Sequence, residues 1–230
     1  MDGLPHVILT SHYNLPLFAL LLVAWVSPSL ATPPLNILDP GNEGLSAFEE
    51  ESFVGHTDYQ IVEHDGTTTL RAAANNSASA LYRKIAVDLN RTPLLTWEWK
   101  VERLLPANNP QEKAGDDFPA RVYVVVQDGF LPWQVKVLSY VWANSEPPAP
   151  YWPNPFTERA VMIPLQAGTE HLGQWRREQV NIAEDYQRIF GEPIKEIVGV
   201  AIMSDADNGG GQTLAYFGRI RFEVPSARQK

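Results

Sequence analysis

Along this chain apolar and polar residues alternate far more often than apolar residues recur at helical spacing, and a period of two predicts strands. Residues 94–101 (LLTWEWKV) alternate throughout, which puts Leu95, Trp97, Trp99 and Val101 on one face and Thr96, Glu98 and Lys100 on the other. Residues 59–63 and 67–73 flank His64-Asp65-Gly66, a turn signal, and read as a hairpin. Residues 80–87 alternate with Leu81, Ile85 and Val87 on one side. Residues 120–127 (ARVYVVVQ) are nearly continuous in apolar side chains, the pattern of a strand buried on both faces. Residues 136–143, 159–164 and 175–182 read as further strands. Residues 194–203 and 214–224 read as two long strands joined by the glycine-rich loop 204–212. The one helical segment, 183–190, is short and is stopped by Gly191 and Pro193. The set predicts an all-β fold: a two-sheet antiparallel β-sandwich of jelly-roll type with one short helix, spanning residues 48–225 as a single domain.

The segments outside this pattern divide the chain. Residues 32–47 mix proline and glycine with little periodicity and read as an extended lead-in, and 226–230 read as a polar tail. Residues 15–26 (LPLFALLLVAWV) form an apolar run too short to cross a bilayer of about 30 Å with ease. Small residues follow at Ser29 and Ala31, so residues 1–31 read as a signal peptide cleaved after Ala31. No Lys or Arg precedes the run, which leaves retention as a weak anchor as the alternative. Either way the domain is expected in the periplasm or outside the cell, with no stable membrane span after cleavage. Loops 104–118 and 144–158 are long, and loops of that length tend to carry function.

Composition narrows the chemistry. With 44% apolar residues and seven Trp the chain can build a core, and a formal net charge of −9 becomes −8 once Asp2 leaves with residues 1–31. An acidic chain with no Lys/Arg cluster is not built for nucleic acid or for anionic lipid. It remains compatible with a cation or a neutral polar ligand. The absence of cysteine excludes disulfides, thiolate metal sites and cysteine nucleophiles. The five histidines show no metal-ligand spacing, and no Gly-x-Ser-x-Gly elbow is present.

Three groups of residues carry candidate chemistry. Asp116 and Asp117 stand just before the strand that begins at Ala120; they suit a cation, sugar hydroxyls or acid–base work, or else a turn in which one pairs with Arg121 or Lys113. Asp205 and Asp207 alternate as at the start of a calcium loop, but Gly209 and Tyr216 stand where an EF-hand needs ligands. A Ca²⁺ site on Asp205 and Asp207 outside that motif competes with a plain hairpin loop. Among the aromatics, Trp97 and Trp99 share a face with Leu95 and Val101 and belong to the core. Tyr140, Trp142, Tyr151 and Trp152 are candidates for a stacking platform, with Tyr151 and Trp152 in a proline-rich loop.

Several ordered motifs carry a resemblance: Lys113-Ala114-Gly115-Asp116-Asp117-Phe118 with Ala120-Arg121-Val122-Tyr123, Tyr140-Val141-Trp142-Ala143, Asn154-Pro155-Phe156, Asp185-Tyr186 with Phe190-Gly191, and residues 199–205 (GVAIMSD). Together they resemble an exported bacterial family, the domain of unknown function 3047, over nearly all of residues 48–222. The resemblance implies export and the positions of the motifs, not a reaction. The opening hairpin, the Trp97/Trp99 strand and the closing strand are also similar in order to jelly-roll carbohydrate-binding modules. The ligand set expected on these grounds is Asp116, Asp117, Arg121, Trp142, Tyr151, Trp152 and Asn154. Three readings stand: a non-catalytic module for a glycan or similar polar small molecule, a glycan-active enzyme with paired carboxylates, and a structural protein of the envelope.

Overall fold

The period-two segments form strands in the computed structural model, which describes residues 33–147 and 149–225. Among these residues the strands are β1 (Leu35–Leu38), β2 (Glu49–Val54), β3 (Asp58–His64), β4 (Thr67–Ala73), β5 (Ala78–Asp88), β6 (Leu94–Arg103) and β7 (Ala120–Gln127). They continue with β8 (Val135–Ala143), β9 (Trp152–Asn154), β10 (Thr157–Ala167), β11 (Arg176–Asn181), β12 (Glu196–Asp205) and β13 (Leu214–Glu223). The helix α1 (Ile182–Phe190) joins β11 to β12. The expected signal segment, the retained-anchor alternative and the polar tail 226–230 lie outside the described residues. Among those described, no helix is long and apolar enough to cross a membrane.

Two sheets result. One runs β11-β6-β13-β4-β3 with β1 also on β13, and the other runs β2-β5-β12-β7-β8-β10-β9. In the β3–β4 hairpin His64 faces Thr67 across Asp65 and Gly66 at φ 52° and 75°, the paired left-handed conformation that a two-residue turn between twisted strands requires. α1 starts where the Asn181 side chain accepts the Glu184 N–H and ends at Gly191, φ 79°.

Several details differ from the sequence expectation: β2 is not among the strands expected, and β9 lies within the segment 144–158 expected as a loop. β1 lies inside the stretch read as a lead-in; four residues are too few to show a period, and Ile37 and Leu38 become core only because β13 offers an edge beside β4. The pairing is also not wholly antiparallel, since β10 runs parallel to β8 with Ala160 opposite Val137 and Ala167 opposite Ala143. Segment 144–156, which contains β9, supplies the crossover of about a dozen residues that parallel neighbours need.

The core lies between the sheets. Leu95, Trp97, Trp99 and Val101 of β6 meet Val122, Val124 and Val126 of β7, Leu138, Tyr140 and Trp142 of β8, and Phe217, Ile220 and Phe222 of β13. The Trp97 and Trp99 rings meet edge-on at 5.4 Å, and Trp99 approaches Trp142 at 6.0 Å while its indole N–H donates to Glu178 at 3.0 Å. Because successive side chains of a strand point to opposite faces, β7, β8 and β12 present a second set outward, and away from Arg121 and Asp205 that set is largely apolar too. The reading of β7 as buried on both faces therefore holds for one: Tyr123 and Val125 are half-buried and face a cleft.

Trp99 fills the middle of the core and has a bonded N–H, so W99A is expected to lower unfolding free energy by about 3–5 kcal/mol in urea denaturation.

Candidate functional site

The outward side chains of the seven-stranded sheet line a cleft of about 750 Å³. Ala78, Ala80 and Tyr82 of β5, Ala201 and Met203 of β12, Tyr123 and Val125 of β7, Val137 of β8, and Ala160 and Met162 of β10 form its floor. The alanines keep the floor low, while Phe53 of β2 and Phe156 of the β9–β10 turn stand exposed at its two sides. Gly199 lets Tyr82 lie flat across β12, since a Cβ there would stand 2.3 Å from the phenol oxygen. Apart from the Tyr82 and Tyr123 hydroxyls, its polar groups stand at the rim, with Glu49, Glu50, Glu51 and Thr157, and at one end.

That end is built around Arg121, which is buried near the start of β7. Its Nε donates to Asp205 Oδ1 at 2.7 Å and its Nη2 donates to Asp205 Oδ2 and, at 2.5 Å, to the Asp116 carbonyl. Asp116 Oδ1 is 3.5 Å from Nη1, and the Phe118 ring faces the guanidinium at 4.5 Å. Asn154 Nδ2 donates to Asp116 Oδ2 at 2.7 Å. Asp117 collects the next loop: its Oδ1 accepts the N–H groups of Asp207 (3.1 Å) and Asn208 (3.0 Å), and its Oδ2 accepts that of Gly209 (2.6 Å).

Burial governs the acids here. It pushes Asp205 up to about 7 against the pull of Arg121. It raises Asp116 against the same guanidinium, and it raises Asp207, with the neighbouring Asp117 charge adding to the effect. Burial likewise raises the Tyr123 phenol.

Of the residues singled out in the sequence, Asp116, Arg121, Asn154, Asp205 and Asp207 do converge on the cleft, and Asp117 holds the loop beside it. Their arrangement corrects the calcium expectation. Asp117, Asp205 and Asp207 bring oxygens within 4.8 Å of one another. Yet both Asp205 oxygens accept from Arg121 and both Asp117 oxygens accept from backbone N–H groups, so four of the oxygens a cation would use already hold N–H donors. This donor set does not fit Ca²⁺. Asp205 is also not a loop residue but the last of β12.

The aromatic platform is corrected as well. Trp142 is fully buried because alternation along β8 turns it inward with Leu138 and Tyr140. Trp152 is buried with Phe118, Val141, Ala143 and Met162 because β9 pairs onto β10, and its indole N–H donates to the Pro110 carbonyl at 3.1 Å. Tyr151 is exposed but lies under Arg188, at 5.3 Å, and does not line the cleft. The aromatics that do line it are Phe53, Tyr82, Tyr123 and Phe156. Phe156 stood in one of the quoted motifs, and Tyr123 sits two residues after Arg121, hence on the same face; Phe53 and Tyr82 carried no signal.

The fold is thus a two-sheet jelly-roll β-sandwich with an apolar cleft on the outer face of one sheet. Residues 46–221 match the family described as "Protein of unknown function (DUF3047)", and the chain belongs to that family, as its ordered motifs imply. No curated protein matches the chain. Among solved structures it is similar to the family 30 carbohydrate-binding module of a cellulosomal cellulase of Clostridium thermocellum, at TM-score 0.49 and 10% identity over 85% of this chain and 100% of that one. It is similar to the family 11 carbohydrate-binding module from Clostridium thermocellum in complex with a β-1,3-1,4-mixed-linked tetrasaccharide, at TM-score 0.44 and 11% identity over 84% and 98%. It is also similar to the glycoside hydrolase domain of endo-D from Streptococcus pneumoniae, at TM-score 0.41 and 9% identity over 78% of this chain, and spans 22% of that one. These likenesses are of fold.

Two outcomes are expected at the polar end. R121M removes one partner of a buried, hydrogen-bonded pair and leaves Asp205 without its donors, which should cost about 3–5 kcal/mol of stability in urea denaturation. Asp207 titrates higher in the folded state than in the unfolded chain. The stability this gives is complete below the unfolded value near 3.9 and is lost as pH rises through the folded one. D207N should therefore flatten the fall in melting temperature between acid and neutral pH, and a stabilising effect of D207N that is larger in acid would contradict this.

Proposed function

We propose that this protein is an exported, non-catalytic binding module that lays a neutral glycan along the cleft of the seven-stranded sheet. The carrying observation is the division of that cleft into an apolar, tyrosine-bearing floor and a polar rim and end. A sugar ring is apolar on its C–H faces and polar around its edge. The floor suits the faces, Phe53 and Phe156 flank them, and Glu49, Glu51, Thr157 and Asn208 are placed for the hydroxyls. A binding role fits the acids better than hydrolysis does. A hydrolytic pair needs free carboxyl oxygens about 5–10 Å apart across open space. Asp117 and Asp205 instead spend theirs on N–H donors. Export rests on the apolar run 15–26 followed by Ser29 and Ala31.

One observation favours a second reading. The middle of the floor is made of alanine, valine and methionine side chains, none of which carries a hydrogen-bond donor, and this suits a ligand with a longer apolar body.

A thermal-melt titration of the purified protein separates the two. Neutral oligosaccharides should raise the melting temperature, by mass action worth about 2.7 kcal/mol at a hundredfold excess over Kd. The effect should be lost in F53A/F156A, whose parent side chains are exposed, and should be the same in Ca²⁺ and in EDTA. A shift with a single-chain zwitterionic detergent below its micellar concentration, and with no glycan, transfers the assignment to the second reading. No shift with either removes the cleft as a binding site.

A further inference from the structure

At the end of β7 away from Arg121, the chain turns into β8 through residues 128–134 (DGFLPWQ). Phe130 is fully exposed, Trp133 is 72% exposed and Leu131 is 44% exposed. The turn that carries them is tightly bonded. The Asp128 N–H donates to the Gln134 carbonyl at 2.7 Å, and the Gln134 N–H donates to that of Leu131 at 2.9 Å. Gln127 Nε2 reaches the carbonyls of Gly129 (3.0 Å), Leu131 (2.8 Å) and Gln134 (3.0 Å), and Gln134 Oε1 accepts the Leu131 N–H at 3.0 Å. Gly129, at φ 144°, leaves room for this, since a Cβ there would stand 2.5 Å from Gln134 Oε1. Arg159 and Lys136 pin the base of the turn to Asp128 at 2.7 and 3.3 Å.

We propose that this hairpin tip is a membrane-docking wedge that seats Phe130, Leu131 and Trp133 in the interface of a zwitterionic bilayer. Two glutamine side chains bond four backbone groups of the tip from within, which lowers the cost of entry into a water-poor layer. A protein partner would supply donors of its own. The three apolar side chains expose on the order of 450 Å². That is well short of the roughly 800 Å² per partner of a stable protein interface. Transfer into lipid scales with area and needs no matching surface. An indole at the edge of such a tip suits the headgroup layer. The net charge of −9 directs the tip to zwitterionic rather than anionic lipid. None of the three residues lines the cleft, so the wedge does not depend on what the cleft binds.

Flotation of the purified protein with phosphatidylcholine vesicles tests the wedge. The wild type should float, and F130E/W133E should lower the bound fraction about tenfold or more, as removal of two apolar anchors from lipid implies. The melting temperature of the double variant should match that of the wild type, since both side chains meet solvent. Wild-type protein that stays with the lipid-free fraction would overturn the proposal. So would equal binding by the double variant, or binding to phosphatidylglycerol vesicles alone. Self-association in sedimentation equilibrium that W133E abolishes, without vesicle binding, would make the tip a contact between copies and likewise overturn it.

Discussion

A guanidinium keeps its charge at any pH the protein meets, and Arg121 carries one where almost no water reaches it. Its surroundings must neutralise that charge and occupy its N–H groups, and doing so organises one whole end of the sandwich. Asp205 at the close of β12 takes two N–H groups, and the Asp116 carbonyl takes another. Holding Asp116 in reach brings Asp117 beside it, and Asp117 then gathers the backbone of Asp207, Asn208 and Gly209. Asn154 joins the same cluster from β9. Three loops far apart in the chain are set by one buried charge. Buried ion pairs are weak sources of net stability; here the pair acts by fixing geometry.

The cleft follows from the alternation that builds the core. Side chains of β7, β8 and β12 point alternately to the other sheet and away from it, and both sets are mostly apolar, with Arg121, Ser139 and Asp205 among the polar members of the outward set. The inward set is covered by β6 and β13; of the outward set, Val141 and Ala143 lie under Phe118 and Trp152, and most of the rest faces the cleft. Alanines on β5, β10 and β12 and the flat-lying Tyr82 keep that face low, and Phe53 and Phe156 raise its margins. A surface of this kind can take the C–H faces of a sugar or an apolar chain.

β7 links the two ends of the molecule. Arg121 near its start is buried and bonded to Asp205 and Asp116, and the hairpin beyond Gln127 exposes its apolar side chains on a bonded frame. The cleft floor at Tyr123 and Val125 lies between them. One strand thus carries the polar end of the cleft, its floor and the tip.

Much of the fold was legible because it is local. Alternation places Leu95, Trp97, Trp99 and Val101 together whatever surrounds them, Asp65-Gly66 needs left-handed angles, and Gly191 with Pro193 stops α1 within its own segment. Membership of the family was legible from ordered motifs, and five of the suspected site residues do meet at the cleft. The tertiary structure alone decided the rest. It drew β1 out of a lead-in, ran β10 parallel to β8, buried Trp142 and Trp152, and spent Asp205 on Arg121 instead of a cation. The physical reason is that a strand's period of two divides its side chains into two faces without saying what lies against either. Which face becomes core and which a cleft, and which donor reaches which carboxylate, is settled only when strands from distant parts of the chain come together.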